Sequence, residues 1–181
     1  MRGVRIAGAV SAAVAVIGSV GTALPAHASN YGVELNGTYR VTTNGDWAKT
    51  NDVFIDERTV IQTWTVSSSC AGPQRCDGQV TSDQGWTAPL RLGGGEGSPD
   101  AIGDFWVVDR VVDNWEPCPD GTAAPGHQKL IFWGIDPLTN RREMTHVDLL
   151  SGIEKTKAPS GACGINKPLV IELPVRLDKL S

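Results

Sequence analysis

The chain has 181 residues, of which 16 are Lys or Arg and 20 are Asp or Glu, for a net charge of −4. No basic block or stripe runs along it, which makes nucleic acid and anionic lipid surfaces poor partners on electrostatic grounds. A length of this order usually makes one domain.

The N-terminus opens with Arg2 and Arg5 and then has no Asp, Glu, Lys or Arg until Glu34. An apolar, Ala- and Gly-rich stretch from Ile6 to about Val20 is broken by Pro25, and Ala26-His27-Ala28 follows. A basic head, an apolar middle and a small-x-small exit are the parts of a secretory signal. A membrane anchor would need about 20 strongly apolar residues, and Ala and Gly make this run only weakly hydrophobic. Cleavage after Ala28 is therefore expected, leaving residues 29–181 as a single exported domain without a membrane span. Losing Arg2 and Arg5 leaves 14 basic residues against 20 acidic, a net charge of about −6.

Beyond the signal, the apolar pattern is two-fold almost everywhere, which reads as strands with one buried and one wet face. The first, 37–43, ends at Asn44-Gly45, a two-residue hairpin signal. Runs at 59–67, 78–82, 85–92, 104–115, 129–135 and 143–150 follow, with turn-rich residues between them. The Gly-rich stretch 92–104 lacks the Lys and the following helix of a phosphate loop, and reads as a flexible surface loop. The last run, 168–180, alternates most regularly, with Leu169, Ile171, Leu173, Val175 and Leu177 on one side. Pro174 falls on its wet side and predicts a free edge or a bulge there. About eight short strands with no helical stripe predict an all-β domain, an antiparallel barrel or sandwich.

The four cysteines, Cys70, Cys76, Cys118 and Cys163, all lie in the exported part. An even count in an exported chain predicts two disulfides. Cys70 and Cys76 flank a Gly72-Pro73 turn, so we pair them with each other, which leaves Cys118 with Cys163. The C-x5-C spacing fits neither zinc nor a C-x-x-C redox pair, and only His127 and His146 remain in the mature chain. No metal and no cofactor is expected.

The segments NGTYRVTTNGDWAKTN, TWTVSSSCAGPQRCDGQVTSDQGW, NWEPCPDGTAAPG and PSGACGINKPLVIELPVRL resemble those of small secreted mycobacterial and related actinobacterial proteins of unknown function. The resemblance implies an exported, two-disulfide β domain rich in Trp, and brings with it no catalytic residue, cofactor or substrate.

Six tryptophans stand out against three Phe and two Tyr. Trp64, Trp86, Trp106 and Trp133 are candidates for lining a ligand cavity or groove; the competing reading is a core built on tryptophan. Carboxylates at Asp100, Asp104, Asp109, Asp113, Glu116 and Asp120, with a pair at Asp56-Glu57, could serve glycan hydrolysis if two converged. Solvated strand faces explain them equally well. No G-x-S-x-G elbow is present. The sequence thus reads as an exported, non-catalytic binding domain at or beyond the cell envelope. Its expected ligand is a small apolar molecule, an envelope glycolipid or a protein. The alternatives are a carboxylate hydrolase and a protease inhibitor presenting the Cys118 loop.

Overall fold

A computed structural model describes residues 30–93 and 105–181. The signal segment with its cleavage site, most of the Gly-rich stretch, Asp100 and Asp104 lie outside the described residues.

Ten strands follow in chain order: β1 (Gly37–Thr43), β2 (Lys49–Thr50), β3 (Val53–Phe54), β4 (Val60–Gly72), β5 (Arg75–Ser82), β6 (Thr87–Leu92), β7 (Trp106–Pro117), β8 (Ala123–Gly134), β9 (Leu149–Lys157) and β10 (Val170–Lys179). Eight of them, β1 and β4 to β10, pair antiparallel in succession, and β1 closes on β10. The domain is a closed up-and-down barrel, whose narrowest seam is the three-pair contact of β6 with β7. The short β2–β3 ribbon hangs outside, on β10.

The alternation in the sequence becomes the inside and outside of the barrel. Tyr39 and Val41, Trp64 and Val66, Leu90 and Leu92, Trp106 and Val108, and Val175 and Leu177 all point inward and are buried. The strand register sorts the interior into two ends. The end near the β4–β5 turn is apolar, and residues Val33 and Leu35 of the N-terminal segment cap it. The other end holds Thr43, Gln62, Ser82, Arg110, Gln128, Glu154 and Thr156, most of them buried.

One disulfide staples each end. Cys70 and Cys76 are direct partners across the β4–β5 hairpin. Cys118 and Cys163 tie the β7–β8 turn to the β9–β10 connection at the polar end. All four cysteines are thereby used, which suits an oxidising compartment.

Three details depart from the sequence reading. Asn44-Gly45 does not turn a hairpin: the Asn44 side chain accepts the Asp46 N–H at 3.0 Å and caps a 3-10 turn over Gly45–Trp47. The two-residue hairpin lies at Asn51-Asp52 instead, where φ is 48° and 70°, and it joins β2 to β3. The segment 143–150 is largely irregular, and the strand runs over Leu149–Lys157 instead. Strand β8 likewise begins six residues before the expected 129, through Pro125. Pro125 is tolerated because β7 bulges opposite it and β9 pairs with β8 only from His127 onward. Pro174 sits where β10 changes partner from β1 to β2, so its missing N–H interrupts no ladder bond.

Candidate functional site

The tryptophans divide between the inside and the outside of the barrel. Trp64 and Trp106 are both 0% exposed within the core. The Trp64 indole N–H donates to Gln62 Oε1 at 3.2 Å, and Ser82 Oγ donates to the same oxygen at 2.8 Å. Half-buried Trp86 stands edge-on to Trp64 at 5.4 Å, and Phe132 tilts against Trp64 at 6.3 Å. The four aromatics singled out from the sequence therefore do not converge on one space. Trp133 points outward from β8, covered by the Arg142 guanidinium 4.0 Å from its ring centre.

At the polar end, Arg110 stacks 4.1 Å over Trp86 and donates from Nε to Gln128 Oε1. Gln128 in turn donates to Glu154 Oε1 at 2.6 Å. Trp115 closes this end from the β7 bulge, resting on Gly126, where a Cβ would come within 2.7 Å of the ring. Glu154 and Glu57 both line a cavity of about 160 Å³ beneath Trp115. That volume lies below the roughly 300–1,000 Å³ of ordinary ligand sites. Burial pushes the Glu154 carboxyl above its ordinary pKa, against the opposing pulls of the Gln128 hydrogen bond and of Arg110.

A raised folded-state pKa means that the folded barrel holds a proton the unfolded chain gives up, so stability falls as pH rises through that window. Glu154→Gln should therefore melt higher than the parent at neutral pH. The gap should narrow as pH falls into the carboxylate range. Thermal melts across pH read this directly, and a gap that widens on acidification would contradict it.

The remaining carboxylates are dispersed. Asp109 lies on the outer wall, 3.8 Å from Lys129 and 4.0 Å from Arg91. The β7 bulge separates Asp113 from the face of Asp109, and Asp113 is exposed. Asp120 accepts from Thr122 within the β7–β8 turn, while Glu116 is buried near the second disulfide. His146 is exposed in the segment before β9. The Cys118 loop is a tight turn, with the Cys118 N–H on the Thr122 carbonyl at 2.8 Å and β8 beginning at Ala123. Though tied by the Cys118–Cys163 bridge, it lacks the extended form of an inhibitor loop.

A roomier concave feature lies on the outside. A groove of about 610 Å³ runs between the barrel wall and the segment formed by the 3-10 turn, β2 and β3. Trp47 and Phe54 flank it, each 65% exposed, and Ile153, 42% exposed, lies opposite with Pro174. Lys49 lies 5.1 Å over the Phe54 ring, and Arg176 lines the groove beside it. The flap is held in place by its backbone: the Asn51 N–H donates to the Val170 carbonyl at 2.8 Å, and the Glu57 N–H to the Gly45 carbonyl at 3.0 Å. Neither Trp47 nor Phe54 was among the ligand-lining candidates of the sequence, because only the flap's path places them side by side.

No protein-family model matches the chain, and no curated protein matches it. Among solved structures, the monomer form of the M. tuberculosis PknI sensor domain is similar in fold. The TM-score is 0.52 at 14% identity, over 82% of this chain and 88% of that one. The likeness is one of architecture.

Proposed function

We propose that this chain is an exported, non-catalytic binding domain, released from its signal segment after Ala28, which holds its ligand on the outer wall of the barrel. One observation carries the reading: two large aromatic side chains, Trp47 and Phe54, stand mostly exposed along the flap side of a groove of ligand size. Exposing large apolar groups in a contiguous patch forgoes their burial, and such patches mark interaction sites. The interior offers a ligand less, since Trp64, Trp106 and Phe132 fill it. The sensor-domain neighbour supports a barrel of this kind serving in recognition, and the two disulfides support an exported location.

Nile red, whose emission rises on entering an apolar site, tests this. The parent protein should bind it. The Trp47→Ala/Phe54→Ala variant should lose about tenfold or more in affinity while keeping its melting temperature, since each exposed aromatic contributes contact area and little fold stability. Unchanged dye affinity in a folded variant would move the site elsewhere.

A further inference from the structure

The outer wall also carries charge that is invisible along the chain. On the face shared by β8, β9 and β10, Ile131 lies opposite Ile153, and Ile153 opposite Pro174. One pleat repeat along, about 6.7 Å away, Lys129 lies directly opposite Lys155, and in the next rung His127 lies opposite Lys157. The sequence holds no basic run, yet antiparallel register assembles three lysines and a histidine into one patch of an acidic protein.

Like charges directly opposite each other destabilise a strand pair. Two carboxylates offset part of this: Asp109 reaches Lys129 at 3.8 Å but is shared with Arg91, and Glu172 reaches Lys155 at 3.3 Å. Lys157 forms no ion pair among the described residues. A second groove of about 370 Å³ follows these rungs from Trp133 to Lys157, and it shares Ile153 and Glu172 with the groove under the flap. An apolar channel therefore leads directly into a cationic patch.

Resting on the binding face proposed for the flap groove, we infer that the ligand is a single-chain anionic amphiphile. Its hydrocarbon chain lies along Trp47, Phe54 and Ile153, and its carboxylate or phosphate head lies over Lys155 and Lys157. A neutral apolar ligand would leave Lys157 unmatched, and a small free anion would leave the groove empty. The apolar residues line a groove between flap and barrel wall, a shape that suits a single hydrocarbon chain better than a bilayer surface.

Calorimetric titration with laurate and with dodecyl maltoside, both kept monomeric, separates head from chain. Laurate should bind about tenfold more tightly, as expected for charge-assisted contacts at a partly exposed site. Lys155→Gln/Lys157→Gln should bring laurate down to the affinity of the maltoside and leave the maltoside unchanged. Lys157→Gln alone, which breaks no ion pair, should show the same trend if the double variant misfolds. Equal affinity for the two amphiphiles in the parent protein would overturn the anionic head while sparing the groove. Binding of neither would overturn the groove itself. Co-sedimentation with anionic phospholipid vesicles without laurate binding would overturn the single-chain ligand in favour of a membrane surface.

Discussion

Trp64→Ala should cost the barrel about 3–5 kcal/mol, the range for deleting a large aromatic from a packed core. Trp47→Ala should stay within about 0.5 kcal/mol of the parent, as exposed substitutions do. The difference follows from where the barrel wall puts each indole. Trp64 is fully buried against Trp86 and Phe132, and its N–H satisfies Gln62. Truncation leaves a void beside the rings of Trp86 and Phe132 and removes one of the two donors on the Gln62 oxygen, the other being Ser82. Trp47 lies outside, against the groove. Urea unfolding followed by circular dichroism measures both variants. Similar midpoints for the two would contradict a core built on Trp64.

Removing the second disulfide should matter more than removing the first. Cys163→Ala opens a link between residues 45 apart in sequence, and Cys70→Ala one between residues 6 apart. In the chain-entropy account these closures contribute about 4 and about 2 kcal/mol respectively. The folded state points the same way. The β4–β5 hairpin is held by register pairs from Trp64↔Ser82 to Gly72↔Arg75, so its staple duplicates a ladder. The β9–β10 connection has only a short 3-10 turn over Ala162–Gly164, and Cys163 is its covalent tie to the β7–β8 turn. Each bridge should also be removed with both of its cysteines replaced by Ala and unfolded in urea, so that no free thiol confuses the comparison. Equal midpoint shifts would show that loop length does not set the stabilisation here.

The strands that the sequence made legible are those whose inward residues are apolar. In β10, Leu173, Val175 and Leu177 face in and Glu172, Arg176 and Asp178 face out, so the pattern is explicit. Strand β9 hid because its inward set is Leu150, Gly152, Glu154 and Thr156. Gly152 is required there by the close approach of β8, since a Cβ would lie 2.0 Å from the Ile131 carbonyl. Glu154 is required by the polar end of the barrel. The early part of β8 hid for the same reason, with Gly126 and Gln128 facing in. Hydrophobic alternation reports a strand only where the core behind it is hydrophobic.

The candidate site was less legible still. In β8 the inward Leu130 and Phe132 alternate with the outward Ile131 and Trp133, so both faces read as core. The cationic patch depends on Lys129 meeting Lys155 and His127 meeting Lys157, a matter of register between two strands. The disulfides were legible because the Cys70–Cys76 turn is local, which fixed the remaining pair.

The measurement that bears most directly on an outer-wall site is a titration of the indole N–H resonances with laurate. The six tryptophans report separately on the inside and the outside of the barrel. Trp47 and Trp133, which line the two grooves, should shift, while Trp64 and Trp106 in the closed core should stay in place. Shifts at Trp64 and Trp106 with Trp47 unmoved would place the ligand inside the barrel and contradict the account.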